Sequence, residues 1–203
     1  MKTSINIDAE TFAQGYVRAL TASLQSVDLG KVTNIIEILW KAYENDQQIF
    51  FLGNGGSAAS ASHIVTDLTK GALGHRGDAN ARPVRAISLT DNLALMSAWA
   101  NDVGYDSVFL GQLRTYLRPE DVVVAISASG NSENVLRAVR FARELGSITI
   151  GLAGFGGGKL AKLTNPCIVV DSNHYGIVED VHMQLGHVIC YYFRQRIQEK
   201  ISG

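Results

Sequence analysis

Apolar positions in this chain follow two regimes. In the first 45 residues they recur at helical spacing. Beyond residue 48 they gather into short unbroken runs. Over 8–26, Phe12, Tyr16, Ala19, Leu20 and Leu24 can share one helix face, and over 31–45 so can Val32, Ile35, Ile36, Leu39, Trp40 and Tyr43. Two amphipathic helices ahead of the first strand predict a helical extension over 1–45, followed by an α/β domain over 46–203. Such a pair either packs on another subunit or covers one face of the sheet.

The unbroken runs lie at 48–52, 84–88, 122–126, 148–152 and 167–170, and read as five strands. Between them 57–69, 92–99, 132–145 and 159–163 read as helices, and a last long helix covers about 177–200. Continuous rather than alternating apolar strands imply a parallel sheet covered on both faces. The expected architecture is therefore an α/β three-layer sandwich with a five-stranded, flavodoxin-like parallel sheet. Ligands of such sheets bind beyond the carboxyl ends of the strands, in the loops at 53–57, 89–92, 127–132 and 153–158.

Composition narrows the partners. A formal net charge of −1 gives no broad attraction to nucleic acid or to a membrane surface. No apolar run approaches the roughly 20 residues that span a bilayer. The first residues lack the apolar core of a signal peptide, so a cytoplasmic protein is expected. Cys167 and Cys190 both lie in apolar runs and read as buried thiols.

Candidate chemistry begins in two loops. Gly53-Asn54-Gly55-Gly56-Ser57 leads from a strand into a helix, whose first amides are free to hold an anion. Ser127-Ala128-Ser129-Gly130-Asn131-Ser132 brings three hydroxyls and a glycine to another helix start. Neither loop carries the lysine of a nucleotide P-loop or the spacing of a dinucleotide fingerprint. A lone serine here would read as a helix cap or turn filler; the cluster reads as a phosphate site. His63 and Asp67, at i and i+4, face one way, as a metal pair or as a base with its orienting acid. Glu179, Asp180, His182 and His187 interrupt the apolar pattern of the last helix. His182 reads as a structural histidine or as a partner of Glu179 three residues earlier.

The two loops together resemble the phosphosugar-binding sugar isomerase (SIS) domain. Residues 53–63, Asn101-Asp102 with Gly104-Tyr105, and the last helix with His187 are similar to the phosphoheptose isomerases. That resemblance implies conversion of sedoheptulose 7-phosphate to D-glycero-D-manno-heptose 7-phosphate through an enediol, in heptose or lipopolysaccharide biosynthesis. It places the substrate phosphate on Ser57, Ser127, Ser129 and Ser132, and Asn54, Gly55, Gly56, Asp91 and Glu179 complete the candidate substrate contacts. It puts a zinc ion, Zn2+, on His63, Asp67, Glu179 and His187, with Asp67 as base and His187 as second acid–base group. It further implies a homotetramer with active sites between subunits. Asp91 is a candidate for sugar-ring opening or a cap for the next helix, and the loop at 71–83, with His75, Arg76 and Arg82, is a candidate source of sugar contacts.

Two departures from the family pattern bear on substrate choice: Asp67 stands where glutamate is usual, and Glu179 where glutamine is usual. Eight residues of ideal helix separate Glu179 and His187 by about 12 Å, so both reach one ion only if the helix start is loose or another subunit contributes. The competing readings are an isomerase of a different sugar phosphate and a non-catalytic phosphosugar-binding protein that regulates replication initiation; retention of His63 and His187 favours catalysis.

Overall fold

The computed structural model describes residues 7–73 and 81–202. Helices α1 (Ala9–Gln25) and α2 (Leu29–Glu44) open the chain, each started by an aspartate cap. Asp8 accepts from the Thr11 N–H at 3.0 Å and Asp28 from the Lys31 N–H at 3.1 Å. There follow β1 (Ile49–Gly53), α3 (Gly56–Thr69), β2 (Ala86–Ser88), α4 (Leu93–Asp102), α5 (Val108–Tyr116), β3 (Val122–Ser127), α6 (Glu133–Glu144), β4 (Ile148–Ala153), α7 (Leu160–Leu163), β5 (Cys167–Val169) and α8 (Tyr175–Ser202).

All strand pairs are parallel, in the order β2-β1-β3-β4-β5. This is the expected flavodoxin-like sheet. The central strands are apolar on both faces because both faces are covered. Ile49 and Phe51 of β1 join Val122, Val124 and Ile126 of β3 in one core, with α2, α3 and α8. Phe50 and Leu52, with Val123 and Ala125, face the second core, with α5, α6 and α7.

Several boundaries differ from those read in the sequence. β2 is three residues long, because the Ala86 N–H bonds back to the Val84 carbonyl and starts the ladder late. The helix expected at 92–99 starts after Asn92 and runs to Asp102, and α5 was not anticipated. α2 is no appendage to the sheet. Ile35 and Leu39 are solvent-free in the same core as β1 and β3. α1 is peripheral: Ser23 is its one buried residue, and Phe12 and Val17 are about 60% exposed. It is held to the last helix by Tyr16, whose hydroxyl donates to Asp180 Oδ2 at 2.6 Å.

Candidate active site

Gly53 at the end of β1 lies in register with Ile126 near the end of β3. β1 leads outward to β2 on one side and β3 leads to β4 on the other, so the crevice of the sheet opens between them. Both following helices start without a side-chain cap. α3 begins behind Gly55, held at φ +54°, and α6 begins behind Ser132. The Ser132 hydroxyl makes no capping bond; it accepts from Ser127 Oγ at 3.4 Å. Two helix N-termini, with first-turn N–H groups and positive dipole ends, therefore start at adjacent strand ends beside Ser57, Ser127, Ser129 and Ser132; in α6 the Val135 N–H is already taken by Asn134 Oδ1 at 3.0 Å.

The serine loop is clamped from behind. Gly130, at φ +64°, has no room for a Cβ against the Gly157 backbone, and its carbonyl accepts from the Leu160 N–H at 2.9 Å. The Ala128 carbonyl accepts from the Gly154 N–H at 2.8 Å. Asn131 bonds Ser129 through its side chain at 2.9 Å and receives the Lys159 N–H at 3.2 Å. Asn54 lies within the Gly-rich loop, but its side chain is engaged by the protein. Its amide pairs in both directions with that of Asn134, each bond 2.9 Å, and its Oδ1 also accepts from the Tyr105 hydroxyl at 2.9 Å.

About two turns into α3 lies a second constellation. His63 Nε2 is 3.5 Å from Asp67 Oδ2, His187 Nε2 is 3.6 Å from the same oxygen, and the two Nε2 atoms are 3.3 Å apart. All three residues belong to one chain, because α3 and α8 pack along each other, with Gly186 against Ile64. No neighbouring subunit is needed to bring His63 to His187. Two bare imidazole lone pairs cannot face each other at this distance without a proton or a cation between them. Two nitrogens and one carboxylate oxygen, with space for a fourth ligand, fit a borderline divalent ion. A groove of about 400 Å³ runs beside the cluster, lined by Asp67, Gln184, His187 and Arg194.

Glu179 is not part of this set. Its half-buried carboxylate lies on Gly56 at the start of α3, where a methyl group would overlap it. The rise of about 12 Å between residues 179 and 187 is preserved, since both lie within the continuous α8. Asp91 accepts from the Ser62 hydroxyl and, at 3.2 Å, from Thr90 Oγ1. The cap of α4 is instead Asn92, which accepts from the Leu95 N–H at 3.0 Å. Asp91 thus holds the residue preceding His63. Arg82 stacks on the Tyr43 ring, 4.5 Å from its centroid, and faces α2 rather than the site. His75 and Arg76 lie outside the described residues. Ser62 and Asn134 are not singled out by the sequence, and Tyr105 enters there only through the resemblance, with no partner assigned. Asn134 follows the serine loop by two residues, and only the fold pairs it and Tyr105 with Asn54.

His182 is fully buried, and its Nε2–H donates to the Ala153 carbonyl at 3.2 Å. Burial lowers its pKa from 6.5 to about 4, offset only in part by the bond to that carbonyl. The folded protein therefore binds this proton less well than the unfolded chain. The stabilisation is complete above pH 6.5 and is lost as pH falls toward 4. Between pH 7 and pH 5 the contribution of His182 falls by about 2 kcal/mol. Urea unfolding at both pH values is expected to show that loss in the wild type and a flatter profile in His182→Gln. Cys190 donates to the Asp67 carbonyl at 3.1 Å, and burial first, then the Asp67 charge, push its thiol up to about 11. It is a packing thiol, not a nucleophile.

Comparison with known proteins gives a consistent picture. Residues 14–154 match the SIS domain model. A phosphoheptose isomerase of Rhodospirillum rubrum is 42% identical over 143 residues, 70% of this chain and 73% of that protein. That of Aquifex aeolicus is 34% identical over 170 residues, 84% of this chain and 86% of its own length. The solved phosphoheptose isomerase of Neisseria gonorrhoeae superposes with a TM-score of 0.81 at 30% identity, covering 92% of this chain and 98% of that one. With the family model over most of the chain and these identities, the chain belongs to the SIS domain proteins and, among them, to the phosphoheptose isomerases.

Proposed function

We propose that this protein is an aldose–ketose isomerase that converts sedoheptulose 7-phosphate to D-glycero-D-manno-heptose 7-phosphate. The observation that carries this reading is the triangle of His63, Asp67 and His187, in which His63 and Asp67 stand on the helix that starts at the crevice and His187 reaches them from α8. From Gly56 to His63 that helix rises about 10 Å. Seven bonds from the phosphorus to C2 of an extended heptulose phosphate span about 8–9 Å, at about 1.2 Å per bond. The phosphate and the reacting carbons of one substrate can thus occupy both ends.

The reaction moves a proton between C1 and C2 through an enediol. Asp67 removes the C1 proton and returns it to C2, and His187 moves the proton between the two oxygens. Serine hydroxyls and the free amides of α3 and α6 anchor the phosphate, so binding energy far from C1 orients the reacting end. His63, Asp67 and His187 are the residues that would hold Zn2+. A bound ion supplies Lewis acidity toward the carbonyl oxygen. Glu179, near the phosphate end, contributes a substrate contact rather than a ligand from the same chain.

Turnover of sedoheptulose 7-phosphate, with and without chelator, tests this reading. Activity is expected, with loss on chelation and recovery with zinc. Fructose 6-phosphate is one bond shorter, and a misplacement of about 1 Å predicts roughly a hundredfold lower kcat/KM. No turnover of either sugar would sink the proposal. The exposed apolar side chains of α1 and α8, Phe12 and Val17 with Val188 and Tyr191, support assembly as a homotetramer. Light scattering should then give the mass of four chains; a monomer would reject it. No described helix is long and apolar enough to cross a membrane, which suits action on a soluble sugar phosphate in the cytoplasm.

A further inference from the structure

The reciprocal amide pair joins residues 80 apart in sequence, one in the loop that opens α3 and one in the first turn of α6. Asn134 is only 2% exposed. At such a position an apolar side chain fills space without needing a partner, so a primary amide here calls for a reason. Asn54 Oδ1 accepts two bonds, from Asn134 and from Tyr105, and both of its lone pairs are used. The next residue, Gly55, has φ +54° and no Cβ to restrict it. Without the tether, nothing in the side chains of 54–56 fixes the direction of the first amides of α3.

We propose that Asn134 and Tyr105 are positioning residues: through Asn54 they set the distance between the two uncapped helix N-termini that hold the phosphate. This rests on the phosphate site of the proposed function and adds two residues to it. The brace acts on binding rather than on proton transfer, since none of its atoms belongs to the cluster of His63, Asp67 and His187. It also reassigns Asn54, whose side chain serves the loop while its second amide N–H has no partner among the described residues.

The test uses the full-length protein and four forms: wild type, Asn134→Ala, Asn134→Asp and Tyr105→Phe. Calorimetric titration with inorganic phosphate gives affinity without turnover, and steady-state kinetics on sedoheptulose 7-phosphate separates KM from kcat. Asn134→Ala should weaken phosphate binding and raise KM by roughly tenfold each, with kcat within about threefold of wild type. Asn134→Asp, which cannot donate to Asn54 and adds a negative charge, should lose more. Tyr105→Phe, which removes one bond from a half-exposed ring, should shift both quantities about threefold in the same direction. Unchanged phosphate affinity in the Asn134 variants, or a fall in kcat at constant KM, overturns the proposal, even if melting temperature drops. Should the Asn134 variants fail to fold, Tyr105→Phe decides alone. A wild type that binds phosphate but turns over no sugar refutes the isomerase reading while leaving this test intact; one that binds no phosphate refutes both.

Discussion

Replacing His187 with alanine is expected to lower kcat on sedoheptulose 7-phosphate by about a thousandfold, the middle of the range for a lost acid–base group. The side chain is partly exposed and its ring is not part of either core, so the fold should survive the change. KM should move little, because the proposed phosphate anchor lies at the start of α3, about two turns from the cluster. Elemental analysis adds a second readout. A variant that loses zinc together with activity makes His187 chiefly a ligand; one that keeps zinc but not activity makes it chiefly a proton carrier. A kcat within threefold of wild type would remove His187 from the mechanism altogether. The same pair of measurements on Asp67→Asn separates its two roles, since the amide keeps an oxygen ligand but cannot take a proton.

The second large effect is expected at Gly130. A Cβ there would overlap the Gly157 carbonyl, and φ +64° is unfavourable for any L side chain. Both loops are fixed by backbone bonds, Gly154 N–H to Ala128 and Leu160 N–H to Gly130, so neither can yield cheaply. Gly130→Ala should cost about 3 kcal/mol of stability and lower Tm by roughly 6–12 °C for a chain of this size. It should also raise KM at least tenfold, because the hydroxyls on either side are displaced. A variant with wild-type Tm and KM would show that the clamp is soft and that the cradle does not depend on it.

The sheet was legible because its central strands are apolar on both faces, as in 122–126, where no residue interrupts the run. α5 was hidden by its glycines. Gly104, at φ +123°, and Gly111 break the helical pattern, and Gly111 is glycine because the Trp99 ring occupies the place of its Cβ. That contact is tertiary and leaves no periodic trace. At the site, the crevice loops followed from strand ends, and the pairing of His63 with Asp67 followed from helix spacing. The separation of Glu179 from His187 was readable as a conflict in helix rise. Which of the two would face His63 depended on how α3 and α8 are aligned, and only packing decides that. The reciprocal pairing of Asn54 and Asn134 belongs to the same class, since an amide in a sequence does not disclose its partner.

Ser57 and His63 stand on one uninterrupted helix, and that makes α3 a ruler with a phase as well as a length. Adding one residue between them would lengthen the interval by about 1.5 Å and rotate His63 and Asp67 by about 100° relative to Ser57. The anchor would stay seated while the reacting groups turned away from His187. Adding four residues would instead bring the phase back to within about 40°, lengthen the interval by about 6 Å and demand a longer sugar. Under the proposed function, sugar length and catalytic competence are thus tied to a single discrete variable, the count of residues in one helix, which drifting side chains cannot adjust by degrees.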